Sequence, residues 1–281
     1  MRLVGRRDPK AKLVSCLLFL FLCIFSLAFP AALKRYTRSF HLSRCTFALK
    51  PQIFSKLSPD ELQKILSQPF HYLDRGAQSF VFSSEDGAYV IKLFIFDSSI
   101  GLLARCLGRM EWKAGEKAVR ILESCKAASL ASEETALVYL HLGPSEETFP
   151  PLRLIGPAWK RSSIHSADYC FALQMRAEPF KKSLQSDYLE KDRNSFSRKV
   201  DALYVLLNDR IARGIHNSDS DLFRNFGFIN SDRAIEMDFG NYRIHQKWDQ
   251  KAKEREIERY RSKLVQWVDE TMPEWKDEII R

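Results

Sequence analysis

The alternation of apolar and polar positions predicts a β-hairpin early in the chain. Residues 79–96, SFVFSSEDGAYVIKLFIF, form two runs rich in β-branched and aromatic residues. Glu85-Asp86-Gly87 lies between these runs, and Asp-Gly in that position is a strong hairpin signal. Two further runs of the same kind, 136–142 and 168–177, are also predicted to be strands.

Helical patterns flank and follow these strands. Ser58 is a good N-cap, Pro59 suits the first helical position and Glu61 completes a capping box, so a helix is predicted to begin there. Helix-forming or amphipathic composition predicts three more helices, at 105–128, 198–215 and 249–272. A second, short hairpin is predicted within 225–240.

These elements predict an α+β protein, because strands with one embedded helix come first and helices with one small hairpin follow. The chain divides into five segments on this basis. They are a basic tail, a transmembrane anchor or signal sequence, a linker, a strand-rich region and a helical region, at 1–12, 13–33, 34–57, 58–177 and 178–281.

The N-terminal segments predict a membrane protein. Residues 13–32 contain no charged residue and are long enough to span a bilayer as a hydrophobic helix. The preceding tail is rich in Arg and Lys, which are expected to stay on the cytoplasmic side of a single-pass protein. The alternative is a signal peptide cleaved near Ala28, and the protein would then be secreted.

The formal net charge of +9 implies an anionic partner. Much of the excess lies at the N-terminus and just after residue 33, and no RNA- or DNA-binding signature accompanies it. We therefore expect an anionic membrane surface as a partner, and no nucleic acid. The six cysteines form no CxxC pair, so the sequence predicts neither a disulfide framework nor a zinc site.

Two stretches of the strand-rich region contain residues suited to nucleotide phosphates. Gly76 lies between two predicted strands, where a missing Cβ lets the backbone approach a phosphate, and Val81 would contact adenine. Lys92 lies on an apolar strand, where a lysine is costly unless it reaches anionic partners. A single glycine is also typical of an ordinary turn, and Lys92 could lie on an exposed edge, so each signal alone is weak.

A carboxylate on the helix after the hairpin is expected to orient Lys92. Glu111 is preferred because of its distance from Lys92 along the chain, and Glu116 is the other main candidate. Glu123 and Glu134 are less favoured. Each of these acids is also typical of a solvated helix face.

The segment 216–240 contains residues suited to metal binding and proton transfer. Asn225 and Asp238 lie on either side of the short hairpin, so both can reach one Mg²⁺, which prefers oxygen ligands. Asp219 and Asp221 precede them, and either could accept the proton of an incoming hydroxyl.

In this order, the motifs resemble the signatures of the protein kinase-like fold over roughly residues 70–245. These signatures are a glycine-rich loop, a strand lysine, a catalytic loop and Asp-Phe-Gly. The resemblance implies a two-lobed fold with a strand-rich N-lobe and a shortened helical C-lobe. It also implies that ATP and Mg²⁺ are the cofactors.

The resemblance assigns roles to individual residues. Lys92 would hold the α- and β-phosphates, and Asn225 and Asp238 would hold the metal. The backbone near Met175 and Ala177 would be the adenine hinge. The base would be one of the two acids named above.

The chain departs from the family pattern at several points. Only Gly76 remains of the glycine-rich loop, and the family's spacing back from Asn225 falls on Ser220, between the two acids. Only 41 residues follow Gly240, without an APE-like motif. The pattern therefore resembles minimal kinases of small molecules, sugars or lipopolysaccharide cores.

Two functions follow from this resemblance. The first is a membrane-associated, ATP- and Mg²⁺-dependent phosphotransferase that transfers the γ-phosphate to a hydroxyl of an acceptor that the sequence does not identify, with a non-peptide molecule favoured over a peptide. The second is a catalytically inactive pseudokinase that acts as a membrane-anchored binding or scaffold protein.

Overall fold

The computed structural model describes residues 40–45, 51–96, 109–146, 149–245 and 248–279, and it describes only the backbone of 109–114 and 158. The strands are β1 (Gln52–Ser55), β2 (Pro69–Arg75), β3 (Ser79–Ser84), β4 (Tyr89–Phe94), β5 (Leu137–Leu142), β6 (Leu152–Ile155), β7 (Arg161–Ile164), β8 (Phe171–Met175), β9 (Glu178–Pro179), β10 (Ile215–Asn217), β11 (Phe226–Ile229), β12 (Arg233–Glu236) and β13 (Tyr242–Ile244). The α-helices are α1 (Pro59–Leu66), α2 (Arg109–Leu130), α3 (Ser132–Thr135), α4 (Phe180–Glu190), α5 (Arg193–Ala212), α6 (Leu222–Asn225) and α7 (Gln250–Thr271).

A large sheet of eight strands has the order β1-β5-β8-β4-β3-β2-β6-β7. Its strands pair antiparallel, except that β2 and β6 are parallel. The hairpin predicted within 79–96 is confirmed by β3 and β4. Gly87 in its turn has φ +71°, a conformation that glycine adopts without strain. With the helices that follow, this sheet confirms the predicted α+β class.

The predicted start of the first helix is also confirmed. The Ser58 side chain accepts a hydrogen bond from the Glu61 main-chain N–H, and the Glu61 carboxylate accepts one from the Ser58 N–H at 2.8 Å. The short strands β1, β6 and β7 were not predicted, whereas β2 is the strand expected before Gly76. Strand β1 lies within the segment 34–57 that the sequence assigns to a linker, and it pairs with β5.

Apolar side chains pack on both faces of the sheet. Phe80, Phe82 and Leu93 are fully buried on the face that contacts α1. Phe94 and Ala172 are buried on the opposite face, against α2. A separate apolar core joins α4, α5, α6 and α7. Each fully buried large side chain contributes about 1.5–3 kcal/mol, so both regions have substantial cores.

The prediction of a single-pass membrane protein is contradicted. Within the residues listed above, no helix is long and apolar enough to cross a membrane. Helices α2 and α7, each of 22 residues, carry charged side chains throughout, which the interior of a bilayer disfavours. The apolar run 13–32 and the cleavage point near Ala28 lie outside the described residues.

Candidate active site

Lys92 lies in the middle of the large sheet. Its strand β4 lies between β3 and β8, with Val81 and Ala172 directly opposite it. The Lys92 ammonium donates a hydrogen bond to the main-chain oxygen of Met237 and lies 5.0 Å from the centre of the Phe239 ring. The lysine side chain therefore joins the sheet to the segment that follows β12.

Burial lowers the pKa of Lys92 below its ordinary value, while Asp238 and Cys125 act in the opposite direction. No carboxylate of the described residues forms an ion pair with Lys92. A partly desolvated ammonium with a carbonyl as its partner retains two further N–H donors. It is therefore well suited to bind an incoming anion.

Of the four acids expected to orient Lys92, the three whose side chains are described form no ion pair with it. Glu116 is exposed. Glu123 pairs with Arg243 at 3.0 Å, and Glu134 pairs with Arg213 at 2.5 Å. The side chain of Glu111 lies outside the described residues.

Asn225 and Asp238 are brought together by the hairpin of β11 and β12. The main-chain oxygen of Asn225 accepts hydrogen bonds from the N–H of Met237 at 2.5 Å and from that of Asp238 at 3.3 Å. Asn225 is buried at the end of α6, whereas Asp238 is exposed. The two side chains thus belong to adjacent main-chain segments, close to the Lys92 ammonium.

Gly240 is held against both Asp238 and the loop between β2 and β3. The Asp238 Oδ1 accepts a hydrogen bond from the Gly240 N–H at 2.9 Å, and Gln78 Nε2 donates to the Gly240 carbonyl at 2.9 Å. A Cβ on Gly240 would lie 3.0 Å from the Gln78 side chain and 3.1 Å from Asp238. A side chain at this position would therefore require Gln78 or Asp238 to shift by a few tenths of an ångström.

Asp219 and Asp221 lie on the loop between β10 and α6, and both are half-buried. Asp219 Oδ1 accepts from the Asp221 N–H at 3.1 Å, while Asp221 Oδ1 accepts from the Arg224 N–H at 3.2 Å. Asp221 is therefore the N-cap of α6. Asp219 is tied in place by its own N–H, which donates to Asn217 Oδ1 at 2.9 Å, and by its carbonyl, which accepts from Asn225 Nδ2 at 3.4 Å.

Lys263 reaches the same loop from helix α7. Its ammonium donates to the main-chain oxygen of Ser220 at 2.5 Å and to the Ser220 hydroxyl at 2.7 Å. The sequence analysis did not single out Lys263, because one lysine on a charged helix has no distinguishing pattern. The structure places its positive charge on Ser220, the residue that lies between the two candidate bases in the sequence.

A buried polar network lies beneath this loop and was also missed. The Arg210 guanidinium is fully buried and donates to Glu236 at 3.0 and 2.7 Å and to Glu256 at 2.6 Å. Glu236 also accepts from Asn217 Nδ2 at 2.6 Å and from the Tyr242 hydroxyl at 2.7 Å. Charge-assisted hydrogen bonds of this kind are the strongest in proteins.

The network holds the segment that leads into the Asp219 loop against Asp238, one of the two candidate metal ligands. Asn217 Nδ2 donates to the Asp238 carbonyl at 3.3 Å as well as to Glu236. Burial lowers the pKa of Arg210, but Glu236 together with Tyr260, Tyr242 and Glu256 outweighs this effect and raises the pKa above its ordinary value. Arg210 therefore stays charged and fixes Glu236, which in turn orients Asn217.

The residues expected to surround adenine lie on strand β3, at the end of β8 and just after β8. Val81 is opposite Lys92, and directly opposite residues share one face of a sheet. Met175 and Ala177 pack in a small cluster that also includes Met237, the residue that binds Lys92.

Gly76 lies in the turn between β2 and β3, where its N–H donates to the Ser79 carbonyl at 2.9 Å. A Cβ on Gly76 would meet no atom closer than 3.8 Å. Packing therefore leaves room for a side chain at this position.

The donor set fits Mg²⁺. Within the described ranges, no group of three or more His, Cys, Asp or Glu residues could hold a metal ion. Mg²⁺ is commonly bound through one or two carboxylates together with substrate phosphates and water. Asp238 and the Asn225 side chain supply oxygen ligands of that type.

No protein-family model matches the chain, and no curated protein matches it. Solved structures with some similarity include WbdD, at 18% identity and a TM-score of 0.32 over 69% of this chain and 36% of that protein. Another is the Rv3197–erythromycin complex from Mycobacterium tuberculosis, at 13% identity and a TM-score of 0.34 over 65% of this chain and 48% of that one. The chain thus spans about a third to a half of the length of these proteins. Because both TM-scores are low, neither structure assigns the fold of this chain.

Proposed function

We propose that this protein is an ATP- and Mg²⁺-dependent phosphotransferase with a two-lobed, kinase-like fold. The observation that carries the proposal is the contact between Lys92 and the segment 237–239. It brings a partly desolvated cation from the sheet to the Asp-Phe-Gly segment. Phosphoryl transfer needs a positive clamp and metal ligands close together, because positioning and charge stabilisation supply most of its catalysis.

Asn225 and Asp238 would hold Mg²⁺, and Lys92 would bind phosphate oxygens of ATP. When bound, the metal would neutralise negative charge on the phosphates. Val81, Met175 and Ala177 would border the adenine, in keeping with their places beside Lys92 and Met237.

Asp219 is the better candidate for the base. Each carboxylate accepts one main-chain N–H, but that of Asp221 caps α6, whereas Asn217 and Asn225 in addition hold the main chain of Asp219. Asp219 would accept the proton of an acceptor hydroxyl. The Lys263 ammonium, on the neighbouring Ser220, would offer positive charge to the transferred phosphoryl group. The proposed acceptor is a molecule other than a peptide.

One observation favours a second function, that of an inactive nucleotide-binding module. Lys92 donates to a main-chain oxygen and forms no ion pair with a described carboxylate. In active kinases, an ion pair between the strand lysine and a helix glutamate must be in place. A protein without that pair could bind nucleotide and transfer nothing.

Thermal unfolding of the full chain with and without Mg-ATP tests the proposal. We expect Mg-ATP to raise the melting temperature of the wild type, because a ligand that binds the folded state stabilises it. Lys92→Met and Asp238→Ala should abolish the shift, whereas Arg198→Gln, an exposed change on α5, should preserve it. A wild type without any shift would refute nucleotide binding.

ADP release in the presence of Mg-ATP separates the two functions. Steady turnover that Asp219→Asn abolishes supports the phosphotransferase. A nucleotide-dependent thermal shift without ADP release, even with a panel of sugar and small-molecule hydroxyl acceptors, supports the inactive binding module instead.

A further inference from the structure

A cavity of about 360 Å³ lies between β10, the segment after β13 and the first turns of α7. The side chains that matter for its chemistry are His216, His245, Trp248, Arg255 and Arg259. The proposed phosphotransferase site uses none of these five as a ligand or base. The cavity is therefore a second candidate site, independent of the first.

Three aromatic rings form one wall of the cavity. The ring centres of His216 and His245 lie 6.0 Å apart, and those of His216 and Trp248 lie 5.7 Å apart. The rings of His245 and Trp248 are 5.4 Å apart. The rings are tilted by 51° to 90° to one another, so together they form an aromatic corner in which a flat apolar group can pack against one ring at a time.

Two buried N–H donors at the cavity have no acceptor. Trp248 Nε1 and Arg259 Nε are inaccessible to solvent and form no hydrogen bond within the described part of the chain. Buried donors are almost always satisfied, and an unsatisfied one needs an explanation such as a missing ligand. Both groups can only donate, so the ligand that would satisfy them must present acceptor atoms.

The charge at the cavity is positive. Arg255 is exposed and pairs with no acid among the residues that the structure describes. Arg259 pairs with Glu256 at 2.9 Å, but the same carboxylate oxygen also binds the buried Arg210 at 2.6 Å. Glu256 itself lines the cavity, and Glu236 neutralises the buried Arg210 as well, so the excess positive charge at the cavity is that of Arg255. Aromatic rings can attract ammonium ligands, but the two arginines oppose a cationic occupant.

We propose that this cavity binds a phosphomonoester whose organic group is aromatic. The phosphate oxygens would accept hydrogen bonds from the Arg255 guanidinium and, once the Trp248 and Arg259 side chains turn toward the ligand, from Trp248 Nε1 and Arg259 Nε, while the organic group contacts the ring wall. Guanidinium groups match the geometry of phosphate oxygens better than ammonium groups do. The proposal does not depend on the chain being a phosphotransferase.

The cavity also touches the candidate catalytic loop. Arg259 Nη2 donates to the main-chain oxygen of Asn217 at 2.6 Å, and His216 directly precedes Asn217. A ligand that draws the Arg259 side chain toward the cavity would act on this contact. Occupancy of the cavity is therefore able to influence the loop that carries Asp219.

Calorimetric titration of the full chain with phenyl phosphate tests the proposal. We expect saturable binding that Arg255→Gln weakens at least tenfold, which corresponds to about 1.4 kcal/mol. Trp248→Phe keeps a ring and loses the N–H donor, so it should also weaken binding. Arg198→Gln, the same change at an exposed arginine of α5, should leave the affinity unchanged.

Several outcomes would overturn the proposal. They are an absence of binding, equal affinity in the wild type and Arg255→Gln, and equal affinity for phenol and phenyl phosphate. Loss of binding in Lys92→Met would place phenyl phosphate in the nucleotide site instead. Arg255 is exposed, so its substitution should leave the fold intact, as circular dichroism would verify.

Discussion

Arg210→Met removes a fully buried cation from between two buried carboxylates. The Arg210 guanidinium binds Glu236 through two contacts, at 3.0 and 2.7 Å, and Glu256 through one at 2.6 Å. Methionine has a similar apolar stem, so the change removes charge and hydrogen bonds with little loss of packing. It leaves Glu236, which is fully buried, without its cation.

The expected loss of stability is large. Removing one partner of a buried ion pair costs about 3–5 kcal/mol, because it leaves an uncompensated buried charge. The whole free energy of unfolding of a domain is about 5–15 kcal/mol. At about 2–4 °C per kcal/mol for a domain of this size, Arg210→Met should lower the melting temperature by roughly 6–20 °C.

Urea unfolding followed by tryptophan fluorescence measures this effect. Arg198→Met is the matched control, because Arg198 lies on the same helix and is exposed; such surface changes usually alter stability by about 0.5 kcal/mol or less. Glu236→Gln should lower the free energy of unfolding by an amount between those of Arg210→Met and Arg198→Met, since the amide oxygen can still accept hydrogen bonds. If the free energy of unfolding of Arg210→Met lay within about 1 kcal/mol of that of the control, the network would not support the fold as inferred here.

Four further outcomes are expected. In ADP-release assays, Asp219→Asn should lower kcat far more than Asp221→Asn. In urea unfolding, Asp221→Ala should lower the free energy of unfolding by about 0.5–2 kcal/mol, because it removes the N-cap of α6. Lys92→Met should weaken Mg-ATP binding without lowering the melting temperature in the absence of ligand, because burial disfavours the charged lysine. Lys263→Met should lower kcat and leave calorimetric Mg-ATP affinity unchanged. Burial lowers the pKa of His216, so the unfolded state binds more protons than the folded state does. The free energy of unfolding should therefore fall as the pH drops below about 6.5. In urea titrations at several pH values, His216→Phe should flatten this dependence.

Features with local signals were predictable from the sequence. The Asp-Gly turn between two β-rich runs identified the hairpin of β3 and β4, and Ser58 with Glu61 identified the start of α1. Both signals act over a few residues, so a single stretch of sequence contains them whole. The strands β1, β6 and β7 have four residues each, too few to show a period.

The buried network was not predictable because its members come from distant segments. Arg210 lies on an amphipathic helix, where an arginine is usually solvated, and Glu256 lies on a helix in which charges predominate. Only the packing of α5 against α7 and β12 brings their side chains together. A sequence without its fold gives no sign that these charges are buried.

The candidate site was predictable in part. The order of Lys92, Asn225 and Asp238 along the chain suggested one site, and the structure places the three near one another. The roles of Glu123 on α2 and of Glu134 on α3 depend on which way each side chain points. Glu123 and Glu134 point to arginines, which position in the sequence cannot reveal.

A double-mutant cycle on Mg-ATP affinity tests the central claim most directly. Calorimetry would compare the wild type, Lys92→Met, Asp238→Asn and the double variant. If Lys92 and Asp238 serve one phosphate and metal site, each single change should weaken binding and the two effects should be non-additive by about 0.5–3 kcal/mol. Strictly additive effects, or Mg-ATP binding that neither change weakens, would contradict the account.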